Sequence, residues 1–332
     1  MSRRLDLQRL PEAGCSSVLG SICYAQPAVA DVADVQVPLR ALDSAHGKAI
    51  HAWLARDVGV EGHHGALHYR HNEEFLFGWI VLSETDCVAP EGVSALEQIS
   101  REAYRALFEV QAKTGFTHLL RCWNYLPRIN HDGGGLERYR QFNVGRQDAF
   151  IAAHQAWLDG SPSACALGSV EGELVLYFLS GRQSALPIEN PRQTSAYRYP
   201  QQYGPRAPTF SRASLLQLED EEVLFISGTA SIVGHESVHP GDVREQTRET
   251  LRNLDALVAE ANRHACFGRF ATNSLFLKVY VRHADELPLI DGEIRSALGN
   301  TLQICFLQAD VCRAELLVEI EAFGFLDAEP TC

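Results

Sequence analysis

The chain has 332 residues, 46% of them hydrophobic and 21% charged, which is enough for two domains of ordinary size with a core each. Its 42 Asp+Glu against 29 Lys+Arg give a formal charge of -13, which excludes a general phosphate-tracking surface and speaks against nucleic acid as a partner. An anionic ligand would need a local basic pocket.

The 9 cysteines, at positions 15, 23, 87, 122, 165, 266, 305, 312 and 332, are odd in number and form no CxxC pair. Neither a zinc site nor a disulfide framework is indicated, and a reducing cytoplasm is the expected compartment. The opening "MSRRLDLQRLPEAGC" has no apolar run behind its arginines, and no stretch approaches membrane-spanning length. Neither export nor membrane insertion is expected. "GHHGALHYRH" (62–71) invites a metal reading, but adjacent histidines point to opposite faces of a strand and no HExxH accompanies them, so no metal is expected.

In chain order, residues 68–83 read as one or two strands, rich in aromatic and β-branched side chains. Residues 92–115 place Leu96, Ile99, Ala103, Leu107 and Val110 at helical spacing, with Gly115 as the stop. "THLLRCWNYLPRIN" (117–130) is a strand leaving at a proline. The turn "HDGGG" and a second helix over 136–158 follow, and residues 164–182 give two more strands. Residues 188–213 are dense in proline, arginine and tyrosine, including Arg198, Arg206, Arg212, Tyr197, Tyr199 and Tyr203. They suit either glue between domains or a loop that offers arginine forks and phenolic donors to a carboxylate.

The second half repeats the first. "EEVLFISGTASIVG" reads as a strand pair with glycines at the turn, and a helix starting at Asp242 as N-cap carries Val243, Thr247, Leu251, Leu254 and Val258 on one stripe. "SLFLKVYVRH" is a strand, "LIDGEIRSALG" a shorter helix, and "TLQICFLQADV" and "ELLVEIEAFG" two closing strands. Each half is thus β-β-α-β-α-β-β, an α+β unit duplicated in one chain and divided as 1–187, an inter-domain loop 188–213, and 214–332.

In "AELLVEIEAFG" (314–324), Leu316, Val318, Ile320 and Ala322 alternate with Leu317, Glu319 and Glu321. Alternation alone asks only for one packed face and one wet one. The wider context of the second half adds more. "FISGTASIVGHES", the helix that follows, "LFLKVYVRH" and "LLVEIEA" resemble the YjgF/RidA pattern. With "RCWNYLPRIN", "YRQFNVGRQDAF", "YRYPQQYGPRAPTFSRA" and "VCRAELLVEIEA", the chain resembles the chorismatase family over nearly all of its length beyond about residue 65.

That resemblance implies two tandem YjgF/RidA-like (chorismate mutase-like) domains, the first degenerate, with mixed sheets and helices packed on one face. It implies chorismate as substrate, no cofactor and no metal. Cleavage would begin by protonation of the enolpyruvyl methylene carbon, a slow base that needs a positioned acid still protonated near neutral pH. Glu319 aligns with the family's proton donor, and Glu321 is expected to orient or solvate. Cys312 reads on its own as a small buried hydrophobe. In the family a cysteine there goes with internal attack by the C4 hydroxyl, through an arene oxide, to hydroxybenzoate.

Gly228 points the same way, although close backbone approach explains a glycine equally well. One branch of the family, linked to xanthomonadin pigment and ubiquinone supply, forms both 3- and 4-hydroxybenzoate. For the two substrate carboxylates the motif blocks suggest Arg146, Arg206 and Arg121, with Tyr125, Tyr139 and Tyr203 as donors. Taken singly, each is equally a surface arginine or a core tyrosine. A non-catalytic metabolite-binding module remains the alternative. Imine deamination is disfavoured because Ile304 stands where RidA enzymes carry an arginine. A trimer-like homo-oligomer and a monomer with pseudo-symmetric halves both stay open.

Overall fold

The computed structural model describes residues 4–10, 18–26, 33–44, 47–155 and 160–328. Cys15, Cys332 and the end of the helix expected over 136–158 lie outside them. The first strands, β1 (Leu5–Leu10), β2 (Val18–Ala25), β3 (Val35–Val37) and β4 (Lys48–Ala55), form a four-stranded sheet ordered β1-β4-β2-β3.

Next come β5 (Val60–His64), β6 (Leu67–His71), β7 (Phe75–Leu82), α1 (Ala95–Thr114), β8 (His118–Pro127), α2 (Arg138–Ala152), β9 (Ser163–Ser169) and β10 (Leu174–Gly181). Their six strands are ordered β5-β6-β7-β10-β8-β9. The second half comprises β11 (Leu186–Ile188), β12 (Ala213–Gln217), β13 (Glu221–Ala230), a hairpin of β14 (Ile232–Val233) and β15 (Glu236–Ser237), α3 (Val243–Ala261), β16 (Phe276–Val281), α4 (Leu287–Leu298), β17 (Ile304–Gln308) and β18 (Val318–Asp327). Its sheet is ordered β11-β12-β13-β18-β16-β17, the same connectivity as the first, with one parallel pair in each, β8 with β9 and β16 with β17.

The duplicated α+β unit is therefore observed, with three strands of the six-stranded sheet rather than two ahead of the first helix of each half, and the β14–β15 hairpin added in the second. Within the two halves the strands that sequence missed are short and poorly patterned, "VEGHH", "LPI" and "ASLLQ"; the four strands β1–β4 were missed as well. The first long helix starts where Ser94 accepts from the amide of Glu97 and ends at Gly115, whose φ of 78° suits a residue without Cβ. Asp242 caps α3 by accepting from the amides of Arg244 and Glu245. The second helix stops at Ala152, short of the expected 158, with His154 in the left-handed region at φ 52°. The expected strand pair over 221–234 is observed as a ten-residue strand, β13, with a register shift between Ile226 and Thr229, followed by the two-residue β14, which pairs with β15 rather than with β13.

Helices cover one face of each six-stranded sheet. Leu96, Leu107 and Phe142 pack under the first, and Leu254, Leu257 and Ile290 under the second. The opposite faces turn inward onto a third core shared with the four-stranded N-terminal sheet. Trp53 of β4 is its centre, with ring centroids 5.7 Å from Trp123, 6.0 Å from Phe225 and 5.4 Å from Phe323. These four rings come from all three sheets, so burial of each depends on the other two. The Trp53→Ala variant is expected to lose about 3–5 kcal/mol in urea unfolding. A midpoint unchanged from wild type would mean that the N-terminal sheet folds apart from the rest.

Candidate active site

Along β18, Val318, Ile320 and Ala322 enter the core beneath α3 and α4, while Phe323 faces the central core. By the period of two, Glu319 and Glu321 share the Phe323 face. Neither meets bulk water: Glu319 is 4% exposed and Glu321 0%. The wet-face reading of the alternation is overturned, because the first half and the N-terminal sheet cover that face.

The two carboxylates have opposite surroundings. Lys278 Nζ lies 2.6 Å from Glu321 Oε1, Arg121 Nη2 donates to Oε2 at 2.6 Å, and Trp123 Nε1 donates to Oε1 at 3.1 Å. Burial alone would raise the pKa of Glu321, but Lys278 and Arg121 hold it below the ordinary carboxylate range. Among the described residues, no ion pair reaches Glu319. Burial first, then the negative charge of Glu321, raises it to about 8, against the opposing pull of Arg121, Arg212 and Arg282. Glu319 is thus a neutral acid and Glu321 an ion.

Glu319 looks into a cavity of about 270 Å³ between the halves. Tyr139 and Arg140 of α2 line it from the first half. Tyr199, Tyr203, Phe210 and Arg212 line it from the connecting segment, and Gly228, Cys312 and Arg313 from the second half. An inner recess of about 30 Å³ extends past Glu319 and Cys312 to Arg146, Asn143 and Cys165. Ser227 ties β13 to the connecting segment by donating its amide to Arg212 O at 3.0 Å, and to the first half by accepting at its hydroxyl from the Ala164 amide at 2.9 Å. At the resulting bulge, a Cβ on Gly228 would lie 1.9 Å from Glu319 Oε1. A side chain there would displace the acid, a movable group, rather than break the fold.

Three guanidinium groups surround the cavity, each with a buried N–H that has no hydrogen-bond partner among the described residues: Arg146 Nε, Arg212 Nε and Arg313 Nη2. None is ion-paired. Arg146 lies over the Tyr104 and Phe150 rings at 5.0 and 5.4 Å. Arg212 donates to Thr194 O and Tyr199 Oη at 2.8 and 2.7 Å, and Arg313 stacks 4.1 Å from the Tyr203 centroid. Unpaired buried donors on cations are costly, and an anion offering oxygen acceptors would relieve them. Cys312 lies beside Glu319, and burial, followed by that neighbour, pushes its thiol up to about 12, so it is a neutral thiol.

The structure therefore brings together Glu319, Cys312, Arg146, Tyr139, Tyr203 and Gly228. Three other candidates fall elsewhere. Arg206 is exposed and pairs with Asp148 at 3.2 Å. Arg121 is ion-paired with Glu321 in the core and lines neither the cavity nor its recess, although its Nε and Nη1 lack partners among the described residues. Tyr125 is buried in a tyrosine cluster, its Oη 2.9 Å from that of Tyr280 and 3.3 Å from that of Tyr177. Sequence reasoning missed Arg212 and Arg313 as site residues. Arg212 stood in the arginine-rich segment, where composition could not say which arginine turned inward, and Arg313 directly follows Cys312.

A buried neutral acid within reach of unpaired cations and phenols can protonate a small polyanion while shielding it from water. Comparison with known proteins agrees in kind. Residues 51–180 match the family described as chorismatase FkbO/Hyg5-like, N-terminal. The chain is 36% identical to a 3-hydroxybenzoate synthase of Streptomyces hygroscopicus, over 81% of this chain and 79% of that protein. It is also 36% identical to a chorismatase of Streptomyces rapamycinicus, over 81% and 80% respectively. A crystal structure of a chorismatase superposes with TM-score 0.85 at 28% identity, covering 96% of this chain and 98% of that one. The chain belongs to the chorismatase family.

The raised pKa of Glu319 has a consequence for stability. With the folded value about 8 against an ordinary 4.5, its protonated form favours the native state. That contribution is complete below about 4.5 and is lost as pH rises through about 8. Glu319→Gln cannot ionise, so wild type should lose on the order of a few kcal/mol relative to the variant across that window, read from urea midpoints. Parallel pH curves for the two proteins would show that Glu319 titrates like a solvated glutamate.

Proposed function

We propose that this protein cleaves chorismate to a hydroxybenzoate and pyruvate, with Glu319 as the proton donor. The observation that carries the reading is a carboxylic acid raised to about 8, facing a cavity where three arginines keep buried donors free. Chorismate is a dianion, and Arg146, Arg212 and Arg313 supply the cations that its two carboxylates require, with Tyr139 and Tyr203 as neighbours.

Glu319 delivers its proton to the enolpyruvyl methylene carbon, giving an oxocarbenium ion and weakening the ether bond to ring C3. The C4 hydroxyl oxygen attacks C3, the C3–O bond breaks, and pyruvate leaves. Opening of the arene oxide, with a proton gained by its oxygen and one lost from the ring, gives the aromatic hydroxybenzoate. The proton lost from the C4 hydroxyl balances the one Glu319 gave, so substrate and products balance without added water. A thiol pushed up to about 12 is no thiolate base near neutral pH, so Cys312 assists as a hydrogen-bond partner of that hydroxyl. The 3-hydroxy isomer is the leading product, in keeping with the relative named 3-hydroxybenzoate synthase, and the 4-hydroxy isomer is expected beside it.

Purified protein incubated with chorismate should release pyruvate together with 3-hydroxybenzoate, followed by chromatography. No pyruvate above the spontaneous rate would refute the proposal, and a dihydroxycyclohexadiene carboxylate would refute the role given to Cys312. Glu319→Gln should lower kcat roughly 10²–10⁴-fold with the fold preserved. The wild-type kcat should hold below pH about 8 and fall above it, as the acid loses its proton.

A further inference from the structure

The segment between β17 and β18, residues 309–317, belongs to neither strand, yet it carries both Cys312 and Arg313 into the cavity. Its polar groups converge on one side chain. Arg282, the residue after β16, donates Nε to Leu316 O at 2.8 Å and Nη2 to Val311 O and Arg313 O, both at 3.0 Å. Its Nη1 donates to Asp310 Oδ1 at 2.6 Å and to Asn130 Oδ1 at 3.1 Å. The first half closes the cluster. Asn130 Nδ2 donates to Val311 O at 3.1 Å, and Gly168 and Asp310 exchange backbone bonds of 2.7 and 2.9 Å.

A guanidinium has five N–H donors, and these five acceptors use them all. Arg282 differs in this from Arg146, Arg212 and Arg313, each of which keeps a free buried donor. With no donor left, Arg282 has nothing to offer a substrate carboxylate. Its planar fork reaches acceptors at 310, 311, 313 and 316 from one fixed point, and so constrains the backbone on both sides of Cys312 and Arg313.

We infer that Arg282, braced by Asn130 and Asp310, is a positioning residue that sets where the Cys312–Arg313 segment stands relative to Glu319. The kinetic consequence rests on the proposed chorismate activity; the structural one does not. Lysine presents three donors from one point and can satisfy only part of this set, so Arg282→Lys should restore part of what Arg282→Met loses.

The test uses the full chain and two readouts. First, native protein is treated with iodoacetamide and the labelled peptides are mapped. Cys312 is half-buried and Cys266 exposed, so Cys266 serves as the internal reference. Arg282→Met should raise Cys312 labelling relative to Cys266 about tenfold as the segment opens locally. Second, KM for chorismate should rise about tenfold in Arg282→Met, more than kcat falls, and recover partly in Arg282→Lys. Asn130→Ala removes two bonds of the cluster and should move both readouts the same way by a smaller factor.

A well-folded Arg282→Met protein with unchanged Cys312 labelling and unchanged KM overturns the inference. Should Arg282→Met fail to fold, unchanged labelling and KM in Asn130→Ala overturn it instead. A wild-type protein inactive on chorismate, with Cys312 labelling still raised in the variants, would reject the proposed activity and leave the positioning role standing.

Discussion

Two carboxylates on one buried strand face cannot both stay ionised without counter-charge, and the register of β16 against β18 decides between them. Lys278 stands opposite Glu321, whereas Tyr280 stands opposite Glu319. Arg121 reaches across from β8 and adds its charge to the same member of the pair. Glu321 therefore takes both ion pairs, and its negative charge raises the pKa of Glu319. A slip of two residues, which keeps every side chain on its own face, would put the lysine opposite the wrong acid. The packing of the central core fixes register and protonation together.

Around that acid, the arginines divide by whether a carboxylate already pairs with them. Arg121 and Arg282 are committed to protein partners, one to a carboxylate in the core and the other to a loop. Arg146, Arg212 and Arg313 are held by rings, carbonyls and hydroxyls, which leave part of each guanidinium unpaired. In a chain with a formal charge of -13, three cations free of carboxylates around one cavity form a local field opposite to that of the whole molecule. Such a field favours entry of a dianion and lowers the cost of stripping its water.

Much of this was legible in the chain, and the limits have physical causes. The helices announced themselves through caps and stripes, as at Ser94, Gly115 and Asp242, because those signals are local. The alternation around Glu319 fits a wet face and a buried one equally well. What covers the face decides between them: the first half sets Tyr139 and Cys165 beside Glu319 and Arg121 and Trp123 on Glu321, contacts far apart in the chain, and residues 5–55, which supply the four-stranded sheet of the shared core, gave no pattern pointing to it. Arg121 and Tyr125 sat in a motif block, but both side chains face the central core, where ion pairing and tyrosine contacts take them out of the cavity. Arg206 and Arg212 are six positions apart in one loop, and composition cannot separate them. The backbone bond between Arg212 and Ser227 fixes the second at the wall, while the first turns to Asp148.

The two halves share one topology but not one chemistry. Strand β10 holds in the first sheet the place that β18 holds in the second, and toward the shared core it presents Val175, Tyr177 and Leu179 where β18 presents Glu319, Glu321 and Phe323. One copy of the unit thus carries the acid, and the other supplies a roof and, through Arg146, a cation. A carboxyl kept neutral by burial needs an apolar partner surface as much as it needs its own strand, and duplication within a single polypeptide lets the twin specialise as that surface. Such a chain trades the repeated, equivalent centres of a symmetric assembly for a single asymmetric one, whose opposing walls can change independently.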